Sequence, residues 1–148
     1  ARLHLGQDRF AERLRAYREA FETRGLGAPP PDWVSYSHPT VPGGYASALS
    51  LLPAQQLTAL FCYNDMMALG AMRACAELGL RIPEDVAIVG YDDIQLAEVV
   101  SPSLTTVRVD KTELGRSAMH LLLERMRTPE SDLRHKEIDV YLVKRESA

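Results

Sequence analysis

Two apolar runs in this sequence each end in a pair of polar side chains whose types suit molecular recognition. LTALFCY, residues 57–63, is followed by Asn64 and Asp65, and VAIVGY, residues 86–91, by Asp92 and Asp93. A carboxylate accepts hydrogen bonds from two adjacent hydroxyls, and an amide offers both a donor and an acceptor. Asn64 and Asp92 together therefore suit a polyhydroxylated or otherwise polar small molecule. Arg13 can add a forked donor for ring or anomeric oxygens. Each residue also has a plainer role. Asn64 or Asp65 can cap the helix that follows, and Asp93 can cap a short turn through IQLAEV. Arg13 falls on a different helical face from Phe10 and Leu14, where an arginine usually meets only water. Pattern alone supports an α/β domain with a polar crevice.

Other chemistries lack their residues. His4, His38, His120 and His135 fall in unrelated segments without metal-ligand spacing. No G-x-S-x-G elbow presents a nucleophile. The paired glycines of VPGGYAS match neither the G-x-G-x-x-G fingerprint nor a phosphate-binding loop. The reading is of a non-enzyme with no catalytic residue, no metal site and no cofactor. Cys62 and Cys75 are expected to be reduced, buried thiols.

The elements that must position the polar pairs are legible along the chain. Phe10, Leu14, Tyr17 and Phe21 recur at helical spacing, which predicts a helix from about Arg9 to Arg24 closed by Gly25. A short strand is expected at Trp33–Tyr36, a loop at SHPTVPGG, and a helix from near Gly44 to Leu52. The run 57–63 reads as a strand, and MMALGAMRACAEL as a helix closed by Gly79. The run 86–91 reads as a second strand, LTTVRV at 104–109 as a third, and Lys111 to Arg127 as a helix with an apolar stripe. EIDVYLVKR reads as a last, alternating strand. Near-continuous apolar strands alternating with helices indicate a parallel sheet covered by helices. In such sheets ligands bind beyond the carboxyl ends of the strands, where both polar pairs lie.

The bulk numbers agree with that class. The chain has 148 residues, 46% hydrophobic and 25% charged, enough for one globular domain with a real core. Its net charge of -3 argues against a DNA-binding surface on this chain itself, which would need a basic face. No apolar run approaches the roughly 18 residues a membrane-spanning helix needs, so a cytoplasmic location without membrane contact is the default expectation.

LTALFCYNDMMALGAMRACAELGLRIPEDVAIVGYDD, followed by PSLTTVRVDKTELGRSAMHLLLERM, closely resembles the effector-binding domains of LacI/GalR transcriptional regulators. ERLRAYREAF upstream and LVKRES downstream extend the likeness over nearly the whole chain. The resemblance implies a periplasmic-binding-protein-like fold of type I, two-lobed, whose cleft closes around a small effector, sugar or a derivative being the first expectation. It implies effector contacts at Arg13, Asn64 and Asp92, with Arg9 and Lys111 as further candidates. An aromatic contact expected near His38 and Pro39 has no counterpart.

By the same resemblance, residues 1–104 and 136–148 form the C-terminal lobe, and 105–135 form a crossover strand and helix belonging to an N-terminal lobe that is absent. The DNA-binding headpiece is also expected to be absent, so operator DNA would be reached only through it. A homodimer is implied, formed by the helix after Asn64 and the segment near IQLAEVVS. Met66, Met67, Leu69, Ala71 and Met72 supply more apolar surface than one helix face needs, although core packing alone can also absorb them. A sugar-binding protein of a transport system is the alternative reading.

Overall fold

The structure, a computed structural model, describes residues 7–129 and 134–148, with side chains described from Phe10 onward. Its elements are α1 (Gln7–Thr23), a 3-10 turn (Pro31–Trp33), α2 (Val41–Gln55), β1 (Ala59–Phe61), α3 (Asp65–Glu77), β2 (Ala87–Asp92), α4 (Leu96–Val99), β3 (Thr105–Val109), α5 (Lys111–Arg127) and β4 (Val140–Val143). The strands form one sheet in the order β1-β2-β3-β4, with β1, β2 and β3 parallel and β4 antiparallel to β3. The α/β class and the mostly parallel sheet are as expected from the apolar runs.

The direction of β4 follows from the path of the chain. Val109 at the end of β3 pairs with Val140 at the start of β4. The chain thus leaves the sheet, runs through α5 and re-enters at the same end. No crossover to the opposite end intervenes, so the returning strand must run antiparallel.

Two expectations change. Trp33–Tyr36 is not a strand: Trp33 closes the 3-10 turn, and although Val34 has extended backbone, no described strand pairs with it. Strand propensity without a hydrogen-bonding neighbour leaves only an extended segment. The α2 helix begins at Val41, inside the expected loop. Thr40 accepts a hydrogen bond from the Gly43 amide and Pro42 sits in the first turn, where a missing N–H costs nothing.

α3 packs against β2, and α2 packs against α3. They approach so closely that a Cβ on Gly70 would stand 2.1 Å from the Val41 carbonyl oxygen, and one on Gly44 2.1 Å from that of Met67. Ala48, Ala68, Ala71, Ala74, Cys75, Val86, Ile88, Ala97 and Leu104 form the buried core beneath. Of the five apolar α3 residues noted above, Met67, Ala71 and Met72 are buried in this packing, Leu69 is half-buried and Met66 is exposed. The surplus is therefore mostly internal.

Ser147 ties the C-terminal segment to the backbone of β2 and β3. Its hydroxyl donates to the Ile88 carbonyl at 2.6 Å and accepts from the Thr105 amide at 2.8 Å. Both cysteines are free thiols. Burial, with Cys75 and Asp65 nearby, pushes the Cys62 thiol up to about 12.

Candidate functional site

Parallel pairing brings the two polar pairs to one level. Phe61 is in register with Val89, and the Cys62 amide continues the ladder onto the Val89 carbonyl at 2.8 Å. Asn64 and Asp92 each lie three residues past a member of that pair, at the carboxyl ends of adjacent strands. Asn64 does cap α3: its Oδ1 accepts from the Met67 amide at 2.9 Å, while its Nδ2 donates to the Pro39 carbonyl at 3.2 Å. The cap occupies one lone pair of the amide oxygen and leaves the other for an incoming donor.

Arg13 does not point to solvent. Its guanidinium stacks on the rings of Tyr91, 3.7 Å from the centroid, and Tyr63, 4.5 Å away, and its Nη1 donates to the Tyr63 carbonyl. The two tyrosines immediately precede Asp92 and Asn64, so α1 brings a cation to the ends of both strands. Phe10 helps hold the helix there, its ring 5.0 Å from that of Tyr36. Tyr63 and Tyr91 went unnoticed as site residues in the sequence, although each stands directly before a polar pair. The backbone direction that brings them under Arg13 is set by the strand ends.

Asp92 sits in a sharp turn. Its φ is 109° and that of Asp93 is 48°, a backbone region that side chains other than glycine enter only at a cost. Lys111 donates from Nζ to the carbonyl oxygens of both Asp92 and Asp93, so its ammonium braces this turn. The side chain of Arg9 falls outside the described residues.

Asp93 does not cap α4. Its carboxylate, only 5% exposed, is clasped between Arg108 and Arg145, the latter at 2.9 Å. Burial raises its titration point, but the hydrogen bonds and charges of the two guanidinium groups outweigh that and hold it below the usual aspartate value of 3.8. Arg145 also donates to the Leu104 carbonyl at 2.8 Å and reaches Glu98 on α4 at 3.4 Å. This cluster ties α4, β3 and the C-terminal segment to the turn that carries Asp92.

A cavity of 760 Å³ opens between α1, the segment after the 3-10 turn, α2 and β1. Phe10, Leu14, Tyr17, Phe21, Trp33 and Leu57 are among its lining, which includes no carboxylate and neither Asn64 nor Asp92. It is a largely apolar space, with Arg13 and Tyr63 among the residues of its wall. Among the described residues no cluster of histidine, cysteine or acidic side chains could hold a metal ion, and no helix is long and apolar enough to cross a membrane.

Residues 5–148 match the family of periplasmic binding protein-like domains. The chain is 40% identical over 136 residues to the ribose operon repressor of Haemophilus influenzae, covering 91% of this chain and 41% of that protein. It superimposes on a transcriptional regulator CelR–cellobiose complex with a TM-score of 0.88 at 36% identity, over 93% of this chain and 42% of that one. A LacI family transcriptional regulator from Enterococcus faecium with bound ribose gives 0.79 at 34% identity, over 91% and 50%. The chain thus spans from about two-fifths to half the length of these relatives. The chain belongs to the family of periplasmic binding protein-like domains and matches the effector-binding domains of the LacI/GalR type.

Proposed function

We propose that this domain senses a small polyhydroxylated effector, a sugar or sugar derivative, for a DNA-binding repressor. Arg13, Asn64 and Asp92 are the direct contacts in this reading. The observation that carries it is the common level of Asn64 and Asp92 on neighbouring strands, with the Arg13 guanidinium stacked on the tyrosine before each. A carboxylate, an amide and a guanidinium gathered at one level supply the acceptors and donors that adjacent hydroxyls need. Lys111 acts through the Asp92 turn, and Arg9, one helical turn before Arg13, is a further candidate contact.

Relatives described as a ribose operon repressor and as cellobiose- and ribose-bound regulators support the sugar class, while others, named HTH-type transcriptional repressor PurR, make a purine base the competing ligand to test. They also favour a regulator over a transport protein. Effector binding would shift the balance between lobe arrangements, and a separate headpiece would read that shift at operator DNA in the cytoplasm. Residues 105–135 are proposed to cross to a second lobe. Leu114, Met119, Leu122, Leu123 and Met126 on α5 are all exposed, and the segment leaves and re-enters the sheet at the crevice end. A homodimer is proposed through the α4 side, where Leu96 and Val99 are exposed, together with Met66 at the start of α3.

The test is calorimetric titration of the full-length protein with D-ribose, cellobiose and a purine base, repeated with Asp92→Ala. We expect one sugar to bind, with at least roughly tenfold weaker affinity in the variant, since a charged acceptor is lost. Sugar binding that is indifferent to Asp92→Ala would show that the site lies elsewhere. Binding of the purine base alone would overturn the sugar class.

A further inference from the structure

Asp65 is the first residue of α3 and is fully buried, yet it plays no part in capping that helix. Its carboxylate reaches across β2 instead. Oδ1 accepts from the Thr106 hydroxyl on β3, and Oδ2 accepts from the Ile94 amide at 2.8 Å. Thr106, also fully buried, accepts through the same hydroxyl oxygen from the Asp93 amide at 3.4 Å. Gly90 makes the passage possible: a Cβ there would stand 2.2 Å from the Asp65 Oδ1. Gly90 is also the register partner of Thr106, so the carboxylate crosses β2 at the one position without a side chain in its way.

These bonds end on the amides of Asp93 and Ile94, and Asp92 and Asp93 hold consecutive positive φ values. Such a conformation persists only when its surroundings over-determine it. Asp65 is also the chain neighbour of Asn64. One carboxylate therefore ties the α3 N-terminus, which carries Asn64, to the turn that carries Asp92.

We propose that Asp65, with Thr106 as its hydroxyl relay, is a positioning residue that fixes the separation of Asn64 and Asp92 and so sets which pair of hydroxyls the crevice accepts. The inference rests on the reading of Asn64 and Asp92 as effector contacts. Its physical content is a rigid spacer. Removing the Thr106 hydroxyl leaves the Asp93 amide without its partner, and removing the Asp65 carboxylate leaves the Ile94 amide without its own; either loss lets the strained turn relax away from the geometry that spans adjacent hydroxyls.

The experiment compares full-length unsubstituted protein with Thr106→Val, Thr106→Ser and Asp65→Asn. Two quantities are read: D-ribose affinity by calorimetry, and amide hydrogen exchange at Ile94 and Ile88 without ligand. Thr106→Val is expected to weaken D-ribose roughly 5- to 100-fold and to speed exchange at Ile94, with Ile88 in the core of β2 unchanged. Thr106→Ser, which keeps the hydroxyl, is expected to restore both. Asp65→Asn, which keeps one acceptor oxygen, should fall between.

Thr106→Val with unsubstituted affinity and unchanged Ile94 exchange overturns the proposal. So does a loss of affinity accompanied by equal loss of protection at Ile88, which reports general destabilisation. If D-ribose does not bind the unsubstituted protein, the exchange at Ile94 decides: selective acceleration supports the spacer, no change removes it. Indifference of D-ribose binding to Asp92→Ala would instead fault the functional reading, while the exchange result on the spacer stands.

Discussion

The Asp93 carboxylate shows how a single residue can couple the site to acidity. Its folded-state titration point is depressed below 3.8 because Arg108 and Arg145 outweigh the cost of burial. A depressed carboxylate contributes stability above its unfolded value, and that contribution disappears as pH falls through the lower folded value. Asp93 is therefore expected to stabilise the domain fully above about pH 5 and to lose that contribution progressively from below pH 4 downward. Urea midpoints measured between pH 2 and pH 6 check this. Asp93→Asn should lower the midpoint at pH 6 and flatten the acid limb. An acid limb of unchanged steepness would place the pH sensitivity elsewhere, for instance at Glu113, held at about 2 by Lys136, Ser117 and Arg116.

At the scale of elements, the crossing of α2 over α3 depends on missing side chains. Gly70 faces backbone atoms of α2, with the Val41 oxygen and the Tyr45 nitrogen 2.1 and 2.5 Å from a hypothetical Cβ. Backbone cannot swing aside as a long side chain can. Gly70→Ala is thus expected to destabilise by about 1–3 kcal/mol or more through overpacking. Gly115 on α5 provides the contrast, since nothing lies within 4 Å of its hypothetical Cβ. Gly115→Ala should stabilise by roughly 0.5–1 kcal/mol through helix propensity alone. Denaturant unfolding of the two variants side by side tests the pair, and a stabilised Gly70→Ala would refute the close crossing.

For the whole molecule, the excursion from Val109 to Val140 is the feature with the largest consequence. Leu122 and Met126 on α5 are 53% and 68% exposed, so within this chain they contribute little burial. Leu122→Lys is expected to leave the thermal midpoint of the 148-residue chain within about 2 °C. In the full-length protein the same change should lower it by several degrees if α5 packs into a second lobe, as proposed above. Equal, small effects in both would leave α5 as a solvent-facing arm and count against the crossover.

Much of this was legible in one dimension because it depends on local or periodic rules. Apolar runs of strand length, helices with a repeating face and polar pairs at the strand ends are all properties of neighbours in the chain. They led to the α/β class, to α5 with its observed limits, and to Asn64 and Asp92 as the residues to watch. What required the folded molecule was every decision made between distant segments. Arg13 was named as an effector contact by resemblance, but its helical face alone left water as the plainer neighbour; Tyr63 and Tyr91, at the ends of two separate strands, form the stack that holds it. Asp93 read as a cap until two arginines from β3 and the C-terminal segment closed on it. Trp33–Tyr36 had the composition of a strand, but strandhood needs a partner ladder, and that depends on which edge of the sheet is presented. Asp65 is the clearest case. Its place at the start of a helix was readable from its neighbours, whereas its service to the turn beyond Asp92 depends on a glycine 25 positions away leaving room for it to pass.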